Sequence, residues 1–260
     1  MKAFVCTIVM LISLVGCGFK YTEVINDSLS GQKIKPTTFI VFPVTDLTYR
    51  PPESCFIPVD LSKGPACQES WNEDVKKKLV EKFPNEKWIF LGKSDPFFKP
   101  EEHSLHRIIA LGEEQTRSKL INMADSDVVQ YTVTPQSQAM NTVLKDLYDS
   151  THAEYAIMFN HPSLTGEVQT SYTMNGNGTM SGSSQTYYTS DIRVQIWQCQ
   201  TGKLMYCSGG WSKESGFCFF ISPEDAAIKS ATSQIVKKLI KVISQIIQGR
   251  SDCQTAQSMR

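Results

Sequence analysis

Residues 191–211 read DIRVQIWQCQTGKLMYCSGGW, and the fold turns on this stretch. Ile192, Val194 and Ile196 alternate with Arg193, Gln195 and Trp197, the period of two that a half-buried β-strand requires. Thr201-Gly202 reverses the chain into a second strand from Leu204 to Trp211, which predicts a hairpin. With a two-residue loop, Cys199 faces Leu204 and Cys207 faces Ile196, on opposite sides of the sheet. These two cysteines are then not expected to pair, although a longer loop with a bulge would change the assignment.

Downstream of the hairpin lies a well-marked helix. Ser222-Pro223-Glu224-Asp225 supplies a cap, a proline and first-turn carboxylates. Ala227, Ile228, Ala231, Ile235, Leu239, Val242, Ile243 and Ile246 form one apolar stripe, and Gly249 stops the helix. Upstream, residues 37–44 and 153–159 are apolar on both faces, as strands covered on both sides must be. A helix is expected over residues 70–83, carrying Trp71, Val75, Leu79 and Phe83, with a short strand at 87–91 after it. Residues 101–123 place Leu105, Ile108, Gly112, Thr116, Leu120 and Met123 on one helical face. Thr134-Pro135 opens another helix, with Met140, Val143, Leu144 and Leu147 inward. Residues 166–190 turn to Ser, Gly, Thr, Asn and Tyr and read as a polar hairpin or loop. The sum is an α/β (α+β) domain over residues 36–249. It has a single mixed β-sheet flanked by helices, ending in a hairpin and a long C-terminal amphipathic helix. Residues 250–260 are expected to be a flexible end.

The amino terminus carries a different signal. Met1-Lys2 is followed by an apolar run from Ala3 to Val15 that ends in Leu14-Val15-Gly16-Cys17. The run is shorter than the ~20 residues of a membrane-spanning helix and has the form of a secretory signal. Leu14-Val15-Gly16-Cys17 resembles the bacterial lipobox. The resemblance implies cleavage after residue 16, lipid attachment at Cys17 and a membrane anchor of several acyl chains. Gly18 stands where inner-membrane retention signals carry Asp, which favours the outer membrane, facing the periplasm. Residues 17–35 are then the anchor and a polar tether.

Charges balance at 26 basic and 26 acidic residues, with a pI near 6.9. No basic stripe argues for nucleic acid. Six cysteines remain besides Cys6 and Cys17, and an oxidising compartment invites disulfides. The best candidate is Cys55–Cys67, bracketing a loop with Pro and Gly. No zinc spacing occurs. His103 and His106, beside Glu101 and Glu102, are the only helically spaced ligand types and form a weak metal candidate. They open a helix, where carboxylates serve the dipole equally well. No catalytic motif stands out and no cofactor is expected. Arg193 and Trp197 share a hairpin face and are a candidate partner contact.

Four pieces together resemble a family: the lipobox, the strand Phe39-Ile40-Val41-Phe42-Pro43-Val44, the strand Ala153-Glu154-Tyr155-Ala156-Ile157-Met158 after a helix, and the Asp191–Trp197 strand turning at Thr201-Gly202. The chain is similar here to bacterial envelope lipoproteins of the group formed by the curli-secretion lipoprotein, the penicillin-binding-protein activator lipoproteins and the amino-terminal domain of TolB. Glu154 replaces the usual Asp, and the carboxylate that precedes Thr-Gly in those proteins is absent from Gln198-Cys199-Gln200. The resemblance implies a non-catalytic lipoprotein that binds an envelope protein as adaptor, activator or assembly factor. A homo-oligomeric secretion-channel subunit is the alternative, and a metal-dependent enzyme is the third.

Overall fold

The apolar segment around Phe39 and Ile40 pairs on both sides and sits at the centre of the body. The computed structural model describes residues 20–21, 23–25, 37–52, 63–98, 104–122, 127–133, 137–174, 176–177, 180–215 and 223–248. In chain order its elements are β1 (Lys20–Tyr21), β2 (Val24–Ile25), β3 (Thr38–Val41), β4 (Thr48–Arg50), α1 (Lys63–Lys82), β5 (Lys87–Phe90), α2 (Leu105–Glu114), β6 (Thr116–Asn122), β7 (Asp127–Val133), α3 (Gln138–Thr151), β8 (Tyr155–Met174), β9 (Met180–Gln198), β10 (Lys203–Ser215) and α4 (Pro223–Gln248). A seven-stranded mixed sheet runs β2-β10-β9-β8-β3-β5, with β4 beside a later stretch of β8. β3 is parallel to β5 and β8, whereas β8, β9 and β10 form an antiparallel meander.

Helices cover both faces. On one, Phe39, Ile157, Val194 and Ile196 meet Trp71, Val75 and Leu79 of α1 and Ile235, Leu239 and Val242 of α4. On the other, Ile40, Ala156, Met158 and Trp197 meet Leu105 and Ile108 of α2 and Met140, Val143, Leu144 and Leu147 of α3. Each fully buried large apolar side chain stabilises the fold by about 1.5–3 kcal/mol. Helix α4 lies close on β10 because Gly210 has no side chain. A Cβ there would stand 2.7 Å from both the Ala231 carbonyl oxygen and Ile235 Cγ1. The same contact is fixed by Ser212, whose hydroxyl donates to the Ala227 carbonyl at 2.6 Å.

Five expectations are corrected. The helix expected from residue 70 starts at Lys63, because Pro65 lies in its first turn, where proline lacks only an amide that has no partner anyway. The long helix expected over 101–123 ends at Glu114, and its continuation is β6, paired antiparallel with β7 in a second, three-stranded sheet with order β1-β7-β6. Partner strand Asp127–Val133 is rich in β-branched residues, and this pairing overrides the four-residue spacing of Thr116 and Leu120. Helix α3 takes Ser137, not Thr134, as its N-cap residue. The stretch expected as a tether is in part structure, since β1 pairs with β7 and β2 with β10. Finally, the hairpin loop spans four residues, closed by Gly202 at φ 67 and by its amide donating to the Gln198 carbonyl at 2.8 Å. A bulge at Met205 sets Cys207 opposite Gln195, on the same face as Cys199. The opposite-face assignment is thereby overturned; both thiols are free and buried.

Candidate functional site

Beyond the body, β8 and β9 run on together. β4 accompanies β8 as far as Thr165, and β10 accompanies β9 as far as Tyr187. From Val168 and Thr186 outward, the two strands pair only with each other among the described residues, in unbroken register to Met174 and Met180. Seven residues per strand at ~3.4 Å each make an arm about 24 Å long.

The arm has two unlike faces, set by strict alternation. Val168, Tyr172 and Met174 share one face with Met180, and they are 37%, 68%, 75% and 66% exposed. This face continues the one that holds Leu164 and Tyr188 under the α1/α4 layer. Tyr172 lies across Gly182, whose absent Cβ would sit 3.1 Å from the ring; an aromatic over a cross-strand glycine covers backbone that would otherwise weaken the pair. The opposite face is a hydroxyl ladder. Ser171 pairs with Ser183 at 2.8 Å and Thr173 with Ser181 at 2.9 Å. From Val168 to Ser190 no residue is charged.

Charged groups gather at the root instead. Lys213 pairs with Glu167 at 3.4 Å and lies 4.8 Å from the centroid of the Tyr187 ring. A hydrogen bond from Gln169, aided by the Lys213 charge, holds the Glu167 carboxyl below its usual range. Deeper in, Lys63 bonds Glu224 at 3.0 Å. Burial opposes ionisation of Glu224, but hydrogen bonds from its own backbone amide, Lys63 and Tyr188 outweigh it and hold the carboxyl below the usual value. Burial, with Glu224 beside it, pushes the Tyr188 phenol upward. These contacts tie β9, α1 and the start of α4 together where the arm leaves the body.

Of the candidate residues read from sequence, Cys17, Cys55 and His103 lie outside the described residues. Cys67 is a free, buried thiol inside α1, so the expected Cys55–Cys67 bond is not present; the residue faces the core rather than a loop. Its thiol is shifted upward by burial and by Asp225 and Glu224. His106 is held at 2.8 Å by Asp46 at the surface, and no metal-binding group of three ligand residues occurs among the described residues. Trp197 is 1% exposed and donates from Nε1 to Gln195 Oε1 at 3.2 Å. It packs among the residues buried with α2 and α3, so it is core rather than a partner contact. Arg193, on the same face, lies 5.9 Å from the centroid of the Tyr131 ring. Alternation identified the face correctly, but not that helices cover it.

Alternation along β8 places Val168, Tyr172 and Met174 on one face, but it shows neither Met180 beside them nor the free-standing position of the pair. The run without charge, at a length two strands can span, was the signal available for both. A crevice at the carboxyl ends of β3 and β5, where α/β folds commonly bind ligands, holds no comparable set. There Asn72 accepts from the Val44 amide at 2.6 Å and Gln68 from the Leu47 amide at 3.3 Å, so both amides serve the backbone.

No family model and no curated protein matches the chain. Among solved structures, the hypothetical protein CT253 from Chlamydia trachomatis aligns at 10% identity and TM-score 0.39, over 80% of this chain and 98% of that one. A PelC dodecamer from Paraburkholderia phytofirmans aligns at 7% and 0.31, over 86% and 97%. The LpoB C-terminal domain from Salmonella enterica aligns at 11% and 0.24, over 68% and 82%. Likeness at this level assigns the chain no function.

Proposed function

We propose that this chain is a non-catalytic lipoprotein of the bacterial cell envelope, anchored through Cys17 in the outer membrane, that binds another envelope protein with its projecting arm. The observation that carries the reading is the row Val168, Tyr172, Met174 and Met180, exposed on a single face of an arm that carries no charged residue beyond its root. Soluble proteins rarely leave such a row uncovered unless something docks on it, and aromatic and Met side chains are enriched where partners meet. The anchor rests on the Leu14–Cys17 pattern.

A photo-crosslinking residue placed at Tyr172, in the native envelope, is expected to capture one discrete protein. The same probe at exposed Lys145 on α3 should not. Equal capture at both sites, or none at Tyr172, removes the arm as the binding element. Mass analysis of the protein from its own host tests the anchor separately, since an unmodified residue 17 removes it.

The amphipathic alternation of the arm also favours a second reading, a channel subunit whose arms pair side by side between copies. Its apolar row is interrupted by Thr170, Gly182 and Ser184, and the free part of each strand falls short of the ~9–11 residues of a spanning strand. A monomer in detergent without conductance in planar bilayers would dispose of it.

A further inference from the structure

The chain is neutral overall, yet its helices are not. Helices α1 and α4 carry nine lysines against six carboxylates, and beyond Glu73 and Asp225 eight of those lysines face only Asp74 and Glu81. On the opposite layer, α2 and α3 carry Arg107 and Lys145 against Glu113, Glu114, Asp146 and Asp149. The body is therefore electrically two-sided. Helices α1 and α4 run side by side, from the Lys63–Glu224 pair at their starts to Lys78, which donates to Ser233 at 3.0 Å. Between them lies a groove of about 320 Å³, with Val236 and Ile240 in its wall and Lys78, Lys82, Lys237 and Glu81 around it. Lys77, Lys82, Lys237 and Lys241 are exposed, and Val80 beside them is 42% exposed.

The amino-terminal strand joins at this same end. Val24 pairs with Cys207, and Glu23 lies 3.9 Å from Lys241. Cys17 is three residues before Lys20, which β1 holds against β7, a reach of at most about 11 Å. The arm stands at the other end, where α4 begins.

We infer that the basic α1/α4 face docks on the anionic headgroups of the membrane in which Cys17 is anchored, and that this contact turns the arm away from that membrane. The inference rests on the lipid-anchor reading for its geometry. Its chemistry is independent: lysine heads reach anionic headgroups while their stems and Val80 cover apolar surface.

The test uses the processed chain, residues 17–260, with Cys17→Ser so that no acyl chain contributes. It should sediment with vesicles of phosphatidylethanolamine and phosphatidylglycerol and not with phosphatidylcholine vesicles, and added salt should release it. The variant Lys77→Gln/Lys82→Gln/Lys237→Gln/Lys241→Gln should bind the anionic vesicles weaker by about tenfold or more, with unchanged helix content by circular dichroism. Arg107→Gln/Lys145→Gln, on the opposite layer, should bind like the parent. Binding to neutral vesicles, no binding to anionic ones, or full binding by the four-lysine variant each overturns the inference. Because the assay contains no lipidated residue, its failure is distinct from failure of the anchor, which the mass of residue 17 reports.

Discussion

One pair of strands, β8 and β9, lives in two environments. In the body, Ile192, Val194, Ile196 and Trp197 are buried to within 1% of completely, so both faces of the ladder are dry. In the arm, a few residues away on the same strand, Tyr172 and Met180 are mostly exposed on one face and hydroxyls line the other. The backbone bonding is the same in both parts. What differs is side-chain burial, and a two-stranded hairpin with none is marginal in water. The difference assigns roles: the body keeps the chain folded, and the arm is free to be shaped for contact.

The comparison breaks most readily at the body. Trp197→Ala should cost roughly 3–5 kcal/mol, read as a fall in the urea midpoint, because the indole is buried in the cluster that β9 shares with α2 and α3. A smaller loss would mean that this face is less tightly covered than its burial indicates. Gly210→Ala should cost about 1–3 kcal/mol by pushing α4 away from β10; an unchanged midpoint would show that the helix can retreat freely.

A third prediction concerns the root that joins the two regions. The Glu224 carboxyl is held below the usual carboxylate range. A carboxylate with a depressed folded pKa contributes stability that is fully present above the unfolded value and is lost as pH falls through the folded one. Glu224→Gln should therefore lower stability at neutral pH by about 1–2 kcal/mol, and the gap from the parent should close as pH drops below about 4.5. A gap that persists in acid would remove the Lys63 pairing as its source.

The arm should give the smallest effect on stability and the largest on contact. Replacing residues 168–186 by a short turn should leave the unfolding free energy within about 0.5 kcal/mol of the parent, while abolishing co-purification of the envelope partner from detergent-solubilised envelopes. A cooperative loss of stability would show that the arm is part of the body after all.

Much of this division was legible in the residues. Alternation at Ile192–Trp197, the four buried positions Met140, Val143, Leu144 and Leu147, and the long stripe of α4 all follow from period alone. Periodicity says which side chains share a face, but not whether anything covers it, so the face of Arg193 and Trp197 reads as a partner contact or as core alike. Nor does it show pairing between segments distant in sequence. β6 reads as helical because the strand that claims it, β7, comes later in the chain. Pro65 hid the first turn of α1, and with it the inward direction of Cys67. In the arm, the sequence held the apolar row on one strand, but only the cross-strand register joins Met180 to it.

The uninterrupted register of the arm also governs how its length can vary. Lengthening each strand by one residue would add about 3.4 Å and turn the outermost side chains to the opposite side. Lengthening each by two would add about 7 Å and leave Tyr172 and Met174 facing as they do. Relatives with longer or shorter arms should thus differ by paired residues in each strand, with single insertions confined to the stretch between Met174 and Met180.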